Sequence, residues 1–266
     1  MIVLLEVTLF YLAVGVAVGI LAGLLGIGGG MIIIPALLWM FHWQQIAVSI
    51  AVQLAVGTSL AIIVLTASSS ALAHHRRGAV SWSVFSRLTP GIIIGGLLGA
   101  VIADQLPGAV LQNIVGVFAL AVGMQALFGA NPAPGRTLPG RIGLGVAGST
   151  IGLISSLVGV GGGALTVPFL SWCNVPIHRA IATSAACGLA IAITGTVGYI
   201  ITGWHSGELP DYSLGYIYLP GFIGIATASA LFAPLGARLA HALQPAVLKR
   251  IFAVFVISVG LSLLIG

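Results

Sequence analysis

Two glycine-rich stretches interrupt the most apolar parts of the sequence and carry the groups best suited to binding chemistry. "GIGGG" at residues 26–30 is followed by Pro35, and "GVGGG" at residues 159–163 is followed by Pro168. Glycine leaves backbone N–H groups uncovered, and a helix that starts at such a run points its free N–H groups and the positive end of its dipole outward. Small oxyanions bind to such helix starts. The pattern predicts substrate-binding roles for Gly28, Gly29, Gly30, Gly161, Gly162 and Gly163.

Hydroxyl side chains recur downstream of both glycine runs. Thr58-Ser59 stands in "AVGTS" and Thr183-Ser184 in "AIATS", at matching places in the two halves. Because the pairs recur, we predict that Thr58, Ser59, Thr183 and Ser184 line the same binding site. The side chain of Gln53, one to two turns before Thr58, could donate to an anion, so Gln53 joins the predicted site.

Both patterns have a simpler structural explanation, which the sequence leaves open. Glycines in membrane helices serve close helix packing, and the spacing of Gly91, Gly95 and Gly99 fits that use. Threonine and serine hydroxyls within membrane helices often bond back to their own helix. Duplication of the glycine motif, with a proline five residues beyond it in both copies, favours a break in the helix over packing.

The sequence contains no constellation typical of catalysis. It has no pair of neighbouring carboxylates, no HExxH motif and no nucleophile elbow, and no Lys-Ser/Thr follows the glycine runs as in a nucleotide-binding loop. Cys173 and Cys187 lie in or beside apolar segments without a metal-binding motif, so we expect them to be packing residues. We therefore predict no enzymatic activity, no cofactor and no metal.

The composition indicates a polytopic membrane protein. Of the 266 residues, 59% are hydrophobic and only 5% are charged, against about 25% charged residues in soluble domains. The net charge of +5 comes from basic residues near the ends of apolar runs, which indicates orientation in a membrane rather than binding to nucleic acid.

The chain reads as a tandem duplication. Besides the glycine and Thr-Ser motifs, "GAVIADQLPGAVLQNIVGVF" from Gly99 aligns without a gap to "GARLAHALQPAVLKRIFAVF" from Gly236. We divide the chain into a first transmembrane repeat at 1–130, a linker at 131–140 and a second repeat at 141–266. Gln44 and Gln45 stand in an apparent eight-residue insertion in the first repeat, between Trp39 and the Thr-Ser motif.

Each repeat holds four long apolar spans and one short apolar piece, at 31–41 or 164–173. If the short pieces cross the membrane, there are ten crossings and the repeats are inverted; if they do not, there are eight crossings and parallel repeats. With ten crossings, all nine Lys and Arg residues fall on one face and all four acidic residues on the other. Basic loops mark the cytoplasmic side. We therefore predict an all-α protein of about ten segments, as two inverted five-segment repeats, each with a Gly-broken short helix, and both termini outside.

These motifs resemble those of the TauE/SafE family of bacterial membrane transporters. The resemblance rests on two copies of G-x-GGG followed by an apolar stretch and Pro, then A-[VI]-[GA]-T-S, and it covers almost the whole chain. It implies export of sulfur-containing anions such as sulfite, sulfoacetate and related sulfonates across the bacterial inner membrane. It also implies that the two glycine runs and the Thr-Ser pairs belong to the transport core.

The sequence thus predicts a secondary transporter that exports a small sulfur-containing anion by alternating access. The predicted partners are the anion, the lipid bilayer and, as one option for coupling, protons; the oligomeric state is left open. An anion channel and a membrane assembly or scaffold protein without cargo are the alternatives.

Overall fold

The computed structural model describes residues 2–25, 29–128, 137–242 and 245–265, and its architecture is helical. Over these residues the chain forms ten helices. They are α1 (Ile2–Leu25), α2 (Gly30–Trp43), α3 (Val48–Arg76), α4 (Trp82–Gln105), α5 (Gly108–Phe128), α6 (Arg141–Leu157), α7 (Gly163–Trp172), α8 (Ile177–Gly203), α9 (Leu219–Ala242) and α10 (Pro245–Ile265). The prediction of a helical protein is confirmed; the linker predicted at 131–140 lies outside the described residues up to position 136.

Several of these helices have the length and composition of membrane spans. Within the described residues, α3, α4, α5 and α8 are each long and apolar enough to cross a bilayer. The shorter apolar helical stretches are Glu6–Leu21, Gly30–Trp43, Arg141–Leu157, Gly163–Trp172, Leu219–Ala233 and Arg250–Ile265. The chain is therefore a helical membrane protein.

Four helix pairs with extensive contact are related by exchange of the two halves of the chain: α1 packs along α9, α4 along α6, α5 along α10 and α3 along α8. A fifth pair, α4 along α8, is more extensive than its counterpart, α3 along α9. If α1–α5 are exchanged in order with α6–α10, the α1–α9 pair becomes the α6–α4 pair. The α5–α10 and α3–α8 pairs are each converted into themselves. The long helix α3 is buried from Val52 to Ile63 and lies at the centre of the fold.

Glycines allow α4 and α6 to approach closely. A Cβ added at Gly91 or Gly95 would collide with the backbone carbonyl of Gly145 or Ser149 on the facing helix. Because glycine has no side chain, the two backbones can make van der Waals contact along this seam. The packing interpretation of these two glycines is therefore the right one.

The eight-residue insertion in the first repeat forms two extra helical turns. α2 ends at Trp43 and α7 at Trp172, and each is followed by a left-handed residue, Gln45 or Asn174. Counted from the shared proline of each repeat to these ends, α2 is four residues longer than α7. Counted from the start of each following helix to its Thr-Ser pair, α3 is four residues longer than α8. Compared with α7 and α8, one extra turn is therefore added at the end of α2 and one at the start of α3.

A short β-hairpin, which the sequence did not predict, connects α8 to α9. Strands β1 (Ser213–Leu214) and β2 (Ile217–Tyr218) pair antiparallel, and α9 begins directly after them. Tyr216 is buried, and its N–H donates to the carbonyl of Tyr199 on α8 at 3.1 Å. The carbonyl of Tyr216 lies against Gly57 of α3, where a side chain would collide with it. The hairpin is thus packed between the two central helices.

Candidate functional site

The second glycine run separates two helices at a buried position. α6 ends at Leu157, α7 begins at Gly163, and the residues between them are not helical. Gly159 adopts a left-handed φ of 64°, a conformation that glycine tolerates far better than other residues. The N–H groups of Gly159 and Val160 still bond back to the carbonyls of Ser156 and Ser155, at 3.3 and 3.0 Å. The chain therefore leaves the helix in a tight turn rather than unravelling.

Beyond this turn, several backbone donors have no acceptor within the described part of the chain. Leu165 and Thr166 donate to the carbonyl of Gly162, at 3.3 and 2.7 Å. Among the described residues, no carbonyl accepts from the N–H groups of 161–164. Free N–H groups are normal for the first turn of a helix. Here they start at buried residues, since Gly161 and Gly162 are both buried.

The first glycine run begins α2 with a different backbone conformation from that of Gly162 before α7, which has a right-handed φ of −57°. Gly29 precedes the helix with a left-handed φ of 74°, and its carbonyl accepts from the N–H groups of Ile32 and Ile33. Gly28 lies outside the described residues. A Cβ added at Gly30 would stand 2.6 Å from the carbonyl oxygen of Gly159 and 3.2 Å from the Cα of Val160. The start of α2 therefore contacts the second break directly.

Ser59 joins α3 to this contact. The buried hydroxyl of Ser59 donates to the carbonyl of Gly159 at 2.9 Å. Ser184, at the matching place on α8, is 2% exposed. Of the two predicted serines, Ser59 thus holds the backbone of the second break in position.

Thr58 and Thr183 make matching bonds between the two halves of the chain. The Thr58 hydroxyl accepts from the N–H of Tyr218 at 2.9 Å, just before α9 begins. The Thr183 hydroxyl accepts from the N–H of Ser81 at 3.0 Å, just before α4 begins. Each threonine therefore anchors the start of a helix in the other half. Direct contact of either side chain with substrate stays a prediction from the sequence.

Gln53 lies away from the breaks, at the end of α4. Its side-chain amide donates to the carbonyls of Ala103 and Leu106, at 3.3 and 3.0 Å. Its Oε1 atom is buried and, among the described residues, has no hydrogen-bond partner. The observed role of Gln53 is to hold the last turn of α4.

The two breaks have different neighbours, which sequence reasoning missed. Ile63 of α3 lies beside both Gly30 and Gly161, whereas the matching residue of α8, Gly188, lies beside Gly162. In the short helices, Thr166 of α7 stands where α2 has Ile33. Aligning the repeats residue by residue beyond the shared motifs would have found both differences.

The comparison with known families decides what kind of protein carries this site. The family model for the sulfite exporter TauE/SafE matches residues 11–263. The chain belongs to the TauE/SafE family. It is accordingly a membrane transporter of the TauE/SafE type.

Similar proteins in other organisms carry transporter names. A probable membrane transporter protein of Haemophilus influenzae is 35% identical over 257 residues, which are 96% of this chain and 97% of that protein. A probable membrane transporter protein of Methanocaldococcus jannaschii is 27% identical over 259 residues, covering 95% and 93% of the two chains. No solved structure gives a significant match to this TauE/SafE protein.

The β-hairpin lies at the end of this TauE/SafE protein that carries the acidic residues Asp104 and Glu208, here called the acidic end. The phenol of Tyr216 donates to the carboxylate of Asp104 at 2.8 Å, and Ser49 donates to the carboxylate of Glu208. Burial, followed by the hydrogen bond with Asp104, raises the pKa of Tyr216 to about 12. The phenol therefore stays protonated at neutral pH and remains a donor to the carboxylate.

A second set of contacts reaches the same hairpin through the extra turn of α2. The side-chain amide of Gln44 donates to the Tyr11 hydroxyl and accepts from the Tyr218 hydroxyl, both at 3.1 Å. Gln44 directly follows the last residue of α2. The inserted residues thus extend the first repeat as far as the hairpin.

A separate groove on the surface does not belong to the candidate site. Its volume is about 430 Å³, and it lies between α6 and α7. Its lining is mainly apolar, and its polar side chains are Gln125 and Thr150. Of the lining residues of α7, Leu165, Pro168 and Phe169 are half-buried and Trp172 is exposed. This composition fits contact with lipid rather than with an anion.

Proposed function

We propose that this TauE/SafE protein is a secondary transporter that exports a small sulfur-containing anion, such as sulfite or sulfoacetate, by alternating access. The proposed binding site is formed where the two glycine runs meet. The observation that carries the proposal is the group of N–H donors at 161–164, which begins at buried glycines and finds no acceptor carbonyl in the described residues. Such donors stabilise negative charge without a bound cation.

The space around the site supports entry of a ligand. Gly161 is buried, yet among the described residues a Cβ added there would meet only the Cγ2 atom of Ile63, at 3.4 Å. At most other buried glycines in the described chain, an added Cβ would collide with backbone or side-chain atoms. The described residues therefore leave room in the Cβ direction at Gly161.

The helix pairing supports a two-fold repeat architecture, and the distribution of basic and acidic residues favours inverted over parallel repeats. Four of the five main pairs are unchanged when the two halves are exchanged, and Thr58 and Thr183 make matching bonds across the halves. Transporters built from inverted repeats bind substrate between broken helices near the centre of the membrane and open it alternately to the two sides. The hairpin contacts of Asp104 and Glu208 favour a state closed at the acidic end, which we assign to the outside.

The membrane potential makes export of an anion energetically favourable. An inside-negative potential drives an anion outward by about 2.3 kcal/mol per charge per 100 mV, whichever way the carrier is oriented. Export therefore needs no coupling ion, and coupling to protons is a separate hypothesis. Imposing a pH gradient across proteoliposomes tests it, because a coupled carrier would change its flux at constant membrane potential.

The direct test is anion flux through purified protein in proteoliposomes, with sulfite, sulfoacetate and sulfate offered separately. We expect saturable flux of sulfite or sulfoacetate. Gly161→Ala should fold normally, because its new methyl makes only one ordinary contact, yet reduce flux at least tenfold by filling space at the donors. Gly145→Ala is the matched control, since an added Cβ there meets nothing within 4 Å.

Two outcomes would contradict the proposal. One is the lack of flux for all three anions in the unaltered protein, and the other is unchanged flux in Gly161→Ala. Unitary currents that do not saturate with anion concentration would identify a channel instead of a carrier.

A further inference from the structure

The second break has a buried hydroxyl without a partner beside it. In the described residues, seven buried side-chain polar atoms have no hydrogen-bond partner, and they belong to Gln53, Ser156, Thr166, Ser171, Thr196, Thr202 and Ser213. Of these residues, Thr166 is the fourth residue of α7 and lies beside Gly162. A buried hydroxyl without a partner is costly. The position of the Thr166 hydroxyl at the second break suggests a ligand that satisfies it.

The hydroxyl of Thr166 points toward the N-terminal end of α7. A Cβ added at Gly162 would lie 3.0 Å from the Thr166 hydroxyl oxygen and 3.2 Å from the backbone nitrogen of Gly188. The hydroxyl is therefore within reach of a group that binds the N–H donors at the start of α7. Thr166 itself is fully buried, so bulk water does not satisfy its hydroxyl.

The described start of α2 has apolar side chains at the matching positions. Ile33 takes the place of Thr166, and Ile63 takes the place of Gly188; the two isoleucines are buried, at 0% and 1% exposure. Ile63 also lies beside both short helices, with its Cδ1 atom toward Gly30 and its Cγ2 atom toward Gly161. The hydroxyl donor is therefore supplied by the second repeat, opposite an apolar side chain of the first.

The surroundings also limit the charge of the ligand. None of the buried polar residues in the described part of the chain is charged. Amide and hydroxyl dipoles can hold one negative charge, but a buried double charge without a cation costs far more to desolvate. The site is suited to a singly charged oxyanion group.

From these observations we infer that the transported anion binds at the second break, as a sulfonate or hydrogen sulfite group held by the N–H donors of residues 161–164 and by the Thr166 hydroxyl. This inference rests on the proposed function, because it locates the substrate of the same site. It makes Thr166 a binding residue and Ile63 an apolar neighbour of the anion.

Replacing Thr166 distinguishes an effect on anion binding from an effect on the stability of the fold. Thr166→Val keeps the shape and removes the hydroxyl, so it should leave the unfolding temperature of the anion-free protein unchanged or higher. The same variant should weaken binding of methanesulfonate at least tenfold, as expected for loss of a hydrogen bond to a charged group. Thr166→Ser should stay within about threefold of the unaltered protein, because it keeps the donor.

The matched control is Thr202→Val, which removes a hydroxyl that also has no partner. Thr202 is 14 positions beyond Gly188 on α8, roughly 21 Å along the helix axis. Methanesulfonate binding, measured as the ligand-dependent shift of the unfolding temperature, should be unchanged in this control. Sulfate should bind at least tenfold more weakly than methanesulfonate to the unaltered protein.

The inference is overturned if Thr166→Val binds methanesulfonate as the unaltered protein does. It is equally overturned if sulfate binds as tightly as methanesulfonate, or if a protein that transports sulfite binds no methanesulfonate. Lack of sulfite flux in the unaltered protein counts against the proposed function itself. If sulfite flux is normal and any one of the three binding results above is obtained, only this inference is contradicted and the proposed function stands.

Discussion

The hydroxyl of Ser59 donates a hydrogen bond of 2.9 Å to the carbonyl oxygen of Gly159. The two residues are 100 positions apart and belong to different halves of the chain. Gly159 has the left-handed φ that ends α6. The conformation of the second break is therefore held by a side chain of the first half.

Ser59→Ala should weaken this connection. The carbonyl of Gly159 loses a donor in a buried place, so the free energy of unfolding should fall by about 1 kcal/mol. Thermal unfolding in detergent measures the change. Ser68→Ala is the control, because the Ser68 hydroxyl is exposed and bonds to its own helix at Val64; an equal loss of stability in both variants would contradict the account.

Thr58→Val and Thr183→Val should each destabilise the contact between the halves. Each substitution removes the acceptor of a backbone N–H just before α9 or α4, and the expected loss is about 1–3 kcal/mol. The corresponding serine variants keep the acceptor and should recover most of the stability. Valine variants as stable as their serine partners would show that these bonds are unimportant.

Gly30→Ala should be more harmful than Gly145→Ala. The new methyl at Gly30 would stand 2.6 Å from the Gly159 carbonyl oxygen, whereas at Gly145 it meets nothing within 4 Å. Such overpacking typically costs about 1–3 kcal/mol. Unfolding temperatures of the two variants provide the comparison, and equal temperatures would contradict contact between the two breaks.

Tyr216→Phe should loosen the β-hairpin at the acidic end. The substitution removes the donor to Asp104 and preserves the ring, so backbone amides of 213–218 should exchange with solvent about tenfold faster if the bond is worth about 1.4 kcal/mol. Hydrogen-exchange mass spectrometry measures this rate. Tyr212→Phe is the control, since Tyr212 is 77% exposed; faster exchange there as well would exclude a specific effect of the Asp104 contact.

The short helices were predictable because glycine and proline leave strong local patterns. The pieces expected at 31–41 and 164–173 correspond to α2 and α7, and both begin at the last glycine of their runs. The Thr-Ser pairs were also found, because they recur at matching places. Their bonding was not, because the partners of Thr58 and Ser59 are 160 and 100 residues away along the chain.

The difference between the two breaks was hidden by the search for similarity. Motifs shared by the repeats drew attention to glycines and hydroxyls present in both copies. Thr166 and Gly188 stand out only where the copies differ, opposite Ile33 and Ile63. The hairpin at 213–218 was missed because Tyr216, Ile217 and Tyr218 adjoin the apolar run of α9 and read as part of that span.

The most direct test of the central claim is an experimental structure of the protein soaked with selenite, an analogue of sulfite whose selenium gives an anomalous X-ray signal. The account predicts one selenium peak at the start of α7, with oxygen atoms within about 3.2 Å of the amide nitrogens of 161–164 and of the Thr166 hydroxyl. A peak away from the second break, in crystals of protein that transports selenite, would contradict it.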